Sequence, residues 1–179
     1  MLATLAQRAF QVVFGAVVLG LSIKAIQWQT IGSAPATTSY SAFAGAFTIL
    51  AALIGIAAVF MSAIPDMIMA GIDGLASILL LAGGIAFAVG LKGLSCTNIE
   101  TRGTLLNKFV TGGCKRHKDD YKCGYLPFDD GGKDQLEGRC KLVEADAAFL
   151  FLGFVASVVG AVLCLIASRR GGVGKRSAV

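Results

Sequence analysis

Charge is what this sequence is most short of. Asp, Glu, Lys and Arg together make up 15% of its 179 residues, against about 25% in an ordinary soluble domain. Histidine is nearly absent, with His117 its one representative. No serine, cysteine or histidine stands in a pattern with a plausible base, and no carboxylate pair falls inside an apolar run. No glycine-rich phosphate loop follows a strand-like segment. N-glycosylation sequons are missing as well: Asn98 and Asn107 are each followed, two positions on, by the wrong residue. These absences argue against an enzyme, a bound cofactor and a nucleic-acid partner.

Apolar sequence is what remains. Hydrophobic residues reach 55% and mean hydropathy is +0.73. Four separate runs exceed the roughly 18 residues that mark a membrane span. The expected spans lie at about 9–28, 40–64, 67–91 and 145–167, giving an all-α integral membrane protein built as a single four-helix bundle over residues 1–179. The first run is read as a retained span rather than a cleaved signal peptide, with Lys24 reaching back to the headgroups and Trp28 as an interfacial anchor. Pro35 breaks the first linker, and Pro65 with Asp66 marks the turn into the third run. Small residues recur at helical spacing in three rows, Ala51 with Gly55, Ala82 with Ala86 and Gly90, and Gly153 with Ser157 and Ala161. Such rows let helices approach closely, within the bundle or between subunits. Gly83-Gly84 and Gly112-Gly113 read as ordinary small-residue pairs.

Polar character is concentrated in residues 92–144, the expected loop between spans three and four. With Lys92 counted, it carries ten of the sixteen basic residues and four of the five cysteines. Four cysteines in so short a segment fit disulfides in an oxidising compartment, which places this loop outside and both termini in the cytoplasm. Three pairings are open. The nested one is favoured, since Cys96 with Cys140 staples two helix ends and Cys114 with Cys123 closes a small inner loop. A zinc site from Cys114, His117 and Cys123, with or without Cys140, is chemically possible, but C-x₂-H-x₅-C matches no strong signature. Cys164 reads as a small packing residue, with palmitoylation as a lesser alternative.

Asp73 is the one acid well inside a run. It can stay hydrated near the headgroups, pair with Arg8 or Arg169, or serve a proton or ion relay. The tail 168–179 carries Arg169, Arg170, Lys175 and Arg176 without an acid. It satisfies the positive-inside rule and suits contact with anionic headgroups.

The stretches AVGLKGLSCTN (Ala88–Asn98) and RCKLVEADAAF (Arg139–Phe149), together with Asp73, resemble the fungal branch of the MARVEL-domain proteins. That branch is associated with eisosomes and unconventional protein export. The resemblance implies four spans, residence in plasma-membrane microdomains and an oligomeric role in organising lipids and neighbouring proteins. It also implies sphingolipid-responsive behaviour, with sphingolipid, sterol or anionic lipid as partners. In that family the cysteines matching Cys96 and Cys140 flank the loop; the insert with Cys114 and Cys123 is a departure. The competing readings are a small channel or transporter built on Asp73, and a tetraspanin-like partner scaffold.

Overall fold

The computed structural model describes residues 2–60, 65–97, 107–117, 120–124 and 132–176. In chain order the elements are α1 (Leu2–Gln27), α2 (Ala36–Phe60), α3 (Asp66–Gly90), the short α4 (Lys108–Thr111), strands β1 (Cys114–His117) and β2 (Asp120–Cys123), and α5 (Gly132–Arg176). Segments of α1, α2, α3 and α5 are long and apolar enough to cross a membrane, running Thr4–Gln27, Ala36–Phe60, Asp66–Gly90 and Gly132–Arg169. At 1.5 Å per residue, a 25-residue helix such as α2 extends about 37 Å, enough for a hydrocarbon core of about 30 Å.

Local sequence explains where the helices start. Pro65 stands at the N-cap of α3 with extended geometry (φ −62°, ψ 137°), where its missing N–H costs nothing. Asp66 then faces the positive end of the helix dipole. Before α2, the Pro35 carbonyl accepts from both the backbone N–H (3.0 Å) and the hydroxyl (2.7 Å) of Thr38.

The helices form a ring. α3 packs most closely on α5 and α1 on α2, α1 also packs on α5, and α2 touches α3 most thinly. At the tightest crossing, Gly15 of α1 meets Gly45 of α2. A Cβ built on Gly45 would lie 2.9 Å from the Gly15 carbonyl oxygen, so the backbones themselves are in contact. Val18, Ala44, Leu80, Phe87, Val143, Ala147 and Leu150 fill the centre. The exterior is apolar too: Ile78 is 65% and Val89 68% exposed, as expected of a lipid-facing surface.

Three features depart from the sequence reading. α1 begins near Leu2 rather than at residue 9, which brings Gln7 and Arg8 between the helices. α5 is a continuous helix of 45 residues, about 67 Å long, taking in 132–144 of the expected loop and 168–176 of the tail. Spacing accounts for its start: Leu136, Cys140, Val143, Ala147 and Leu150 form one buried stripe, while Glu137 and Lys141 pair at 2.5 Å on the exposed side. The third feature is an antiparallel hairpin, β1 with β2, inside the expected loop. It adds a small sheet to a fold read as all-α. The expected end of span two at 61–64, the loop segments 98–106, 118–119 and 125–131, and the tail end 177–179 lie outside the described residues.

One end of the bundle is capped. A disulfide joins Cys96 to Cys140 with 5.5 Å between Cα atoms. Another joins Cys114 to Cys123, which face each other across the hairpin. Asn107 caps α4 through its Oδ1, which accepts from the Phe109 N–H at 3.0 Å, while its Nδ2 donates to the Gly90 carbonyl at 2.9 Å. Gly112 (φ 72°) and Gly113 (φ 94°) adopt left-handed geometry just before β1, so this pair is a required turn and not an ordinary one. The Gly112 carbonyl accepts from the N–H groups of Thr30 and Ile31 at 2.9 and 3.0 Å. The cap thus grips the α1–α2 connection as well as the ends of α3 and α5.

Candidate functional site

A charged cluster lies at the opposite, uncapped end of the bundle. On α1, Arg8 and Gln11 are three residues apart and share a helical face. Both are buried, as are Asp73 on α3 and Ser157 on α5. Arg8 Nη1 donates to Asp73 Oδ1 at 2.5 Å and to Gln11 Oε1 at 2.8 Å. Arg8 Nη2 reaches Cys164 Sγ at 3.4 Å. Gln11 Nε2 donates to the same Asp73 oxygen at 3.1 Å and to Ser157 Oγ at 3.5 Å. The side chains of Arg8 and Asp73 are 2% and 0% exposed, so neither charge has bulk water as an alternative partner.

Glycines make room for this cluster. A Cβ on Gly55 of α2 would lie 2.6 Å from Arg8 Cζ, and one on Gly160 of α5 would lie 3.1 Å from Asp73 Oδ2. Taking one ion into a low-dielectric interior costs several kcal/mol, which only a well-placed partner offsets. The pair therefore locks α1 to α3, with α2 as its floor and α5 as its second wall. Arg8 is the partner of Asp73, while Arg169 is exposed beyond Cys164 on α5.

A second buried acid lies toward the capped end. Asp146 Oδ2 accepts from Ser22 Oγ at 2.7 Å, and both residues are 0% exposed. Trp28 stacks under Arg139, whose Cζ is 5.1 Å from the ring centre. Sequence reasoning did not single out Asp146, which stands one residue inside the expected span 145–167 and was counted with the acids of the loop before it. The available signal was an acid among Val143, Ala147 and Leu150 on one helical stripe. Between the two polar layers, from Gln11 to Ser22, α1 rises about 16 Å. Val18, Leu80 and Leu150, all 0% exposed, lie in that interval together with the buried hydroxyls of Ser41, Thr48 and Ser77.

The other expected site residues fall as follows. Ala51, Gly55, Gly153 and Ser157 are buried, and Ala161 is half-buried. Ala82 and Ala86 are exposed and lie outside the core, lining a groove with Ala36, Thr37 and Tyr40 of α2. The inner face of α3 is set by Asp73, Ala76, Leu80, Gly83 and Phe87, and Gly84 lies 3.1 Å (as a Cβ) from the Phe151 ring. Gly90 is half-buried beneath the Phe109 ring. Lys24 is exposed and Trp28 half-buried. Arg170, Lys175 and Arg176 lie on the last turns of α5, their side chains outside the described residues. Cys164 is free and buried. Among the described residues no group of three His, Cys, Asp or Glu converges on one point, and Cys114 and Cys123 are consumed by their disulfide.

A small opening between Thr4, Val59, Asp66, Leu163 and Cys164, about 200 Å³ in volume, leads inward from the uncapped end. It continues into about 80 Å³ beside Arg8 and Gly55, room for a few waters. It stops at the charged cluster, below the Val18–Leu80–Leu150 layer.

The family model described as a membrane-associating domain, MARVEL, matches residues 2–163. Comparison with curated proteins and with solved structures finds no match.

Proposed function

The chain belongs to the MARVEL family of membrane-associating domains, and on that premise we propose that it organises plasma-membrane microdomains through helix packing, lipid contact and self-assembly. Both termini lie in the cytoplasm in this reading and the disulfide cap lies outside. The family is a membrane-associating one and not an enzyme family.

The observation that carries the proposal is how the polar groups are spent. Arg8, Asp73, Gln11 and Ser157 are turned inward and satisfy mainly one another, so they lock helices rather than line a path. The exposed face is left to large apolar side chains such as Phe43, Leu50, Ile78 and Val89. A transporter using Asp73 would need polar groups through the middle of the bundle. That layer is mainly apolar, with Val18, Leu80 and Leu150 all 0% exposed. Of the buried hydroxyls around it, Thr48 and Ser77 donate to carbonyls of their own helices, and Ser41 lies beside Leu150, isolated hydroxyls rather than a chain of polar groups. The small outward-facing residues Ala82 and Ala86 offer α3 a place for close approach by another helix. Arg169 and the basic residues after it are proposed to hold anionic headgroups of the inner leaflet. An eisosome-like setting, sphingolipid response and a link to unconventional export are the finer form of the same proposal.

The test is co-reconstitution of the fluorescently labelled protein in giant vesicles containing sterol, sphingolipid and anionic lipid. Clusters that concentrate labelled lipid are expected. A uniformly dispersed protein that leaves lipid distribution unchanged would overturn the reading.

A further inference from the structure

We propose that Cys96 is a thiol-exchange site, whose sulfur takes up a small cationic thiol and so opens the Cys96–Cys140 staple between α3 and α5. The proposal goes beyond the organising role and does not depend on it. The two sulfurs of the bridge are not equivalent. Cys140 is 0% exposed and packs against Val110 and Leu136. Cys96 is half-buried and lines an open recess of about 370 Å³ together with Ser95, Thr97 and Glu144. An incoming thiolate therefore reaches the bridge from the Cys96 side.

The charge of the recess selects the thiol. Glu144 Oε2 lies 3.6 Å from Cys96 Sγ. A disulfide sulfur has no proton to donate, so this contact is not a hydrogen bond and leaves the carboxylate's charge at the point of attack. Among the described residues no lysine or arginine forms an ion pair with Glu144. Lys141, the nearest cation along α5, is engaged with Glu137 at 2.5 Å. The Ser95 and Thr97 hydroxyls, 3.3 Å apart, add neutral polar lining. A carboxylate beside the target sulfur repels an anionic thiol and attracts one that brings its own ammonium group. The recess has room for a low-mass aminothiol of that kind.

The exchange balances with the thiol as its only co-reactant. The thiolate sulfur bonds to Cys96 Sγ as the Cys96–Cys140 bond breaks, and the electron pair leaves on Cys140 Sγ, which takes a proton from water. The entering thiol is oxidised to the mixed disulfide, and Cys140 is reduced to the thiol. Attack by Cys140 on Cys96 expels the aminothiol again and restores the bridge. While the mixed disulfide stands, α3 and α5 lose a link between residues 44 apart. The hairpin bridge and the Asn107–Gly90 hydrogen bond still hold the rest of the cap.

The experiment uses the full-length protein in phosphatidylcholine nanodiscs, whose two faces are both open to solvent, so membrane orientation does not enter. Cysteamine, mercaptoethanol and mercaptopropionate are supplied at equal thiolate concentration and low ionic strength. Early time points are quenched with acid, free thiols are alkylated, and peptides are mapped by mass spectrometry. Rates are taken relative to the same thiols attacking a small soluble disulfide, which removes differences in intrinsic nucleophilicity. The thiol adduct is expected on Cys96 and the alkyl group on Cys140. Cysteamine should react about fivefold faster than mercaptoethanol, the factor for two unit charges about 4 Å apart in water, and mercaptopropionate more slowly than either. Glu144→Gln, at an exposed position, should remove this order. Salt at about 1 M should do the same in the wild type, because screening then acts within about 3 Å. An adduct on Cys140, a bridge left intact by all three thiols, or a cysteamine preference that survives Glu144→Gln would each overturn the assignment. The mapping and salt arms need no variant, so they stand even if Glu144→Gln misfolds.

Discussion

Arg8 and Asp73 stabilise the bundle as a pair, and each becomes a liability without the other. Replacing Arg8 with Leu leaves a buried carboxylate unmatched, for which a loss of about 3–5 kcal/mol is expected. Asp73→Leu should cost a similar amount by stranding the guanidinium. The double replacement Arg8→Leu with Asp73→Leu should recover most of that loss, because two apolar side chains in the same space carry no desolvation penalty. Unfolding of the four proteins in detergent closes the cycle; additive losses would show that the two charges do not interact. Gly55→Ala probes the same contact from α2. Its new methyl meets the Arg8 guanidinium, and an overpacking cost of about 1–3 kcal/mol is expected, against almost none for Gly71→Ala, where a Cβ meets nothing within 4 Å. Sequence reasoning could see that Asp73 needed a partner but not which one. Arg8 was taken to precede the first span, and nothing in its own neighbourhood says that α1 starts near Leu2 and carries it inside.

The elements were legible where one solvent decides the outcome. A long apolar run has to satisfy its own backbone in lipid, so the four spanning helices followed from composition alone. The same uniformity hid which face of each helix turns inward. Alanine and glycine occur on every side of α3, and the Ala82–Ala86 row, legible at helical spacing, faces out; Leu80, Gly83 and Phe87 define the inner face by alternating bulk with space. The start of α5 was missed because charge was read as loop, although Leu136, Cys140 and Val143 keep helical spacing through it. Hydrogen exchange is expected to show residues 132–144 protected to nearly the level of the span, and exchange at loop-like rates would contradict the extended helix. The staple at its base can be tested alongside. Cys96 and Cys140 are 44 residues apart, and converting both to Ser should cost about 3–4 kcal/mol on the chain-entropy account. Exchange in 132–144 should rise while the Arg8–Asp73 end stays protected, since the cap and the charged cluster lie at opposite ends of the bundle.

Across the whole molecule, two polar ends flank a mainly apolar middle. The cap binds the α1–α2 connection, α3 and α5 through disulfides and backbone hydrogen bonds, and the charged cluster binds α1, α3 and α5 at the other end. Such a bundle is tied together at both ends and apolar without, which fits the proposed role of meeting lipids and copies of itself rather than passing ions. The most direct test is native mass spectrometry of the protein from lipid nanodiscs, with conductance recorded on the same preparation in planar bilayers. The account expects higher-order assemblies that retain lipid and no ion current. A lone monomer, stripped of lipid and carrying a measurable current that Asp73→Asn abolishes, would contradict it.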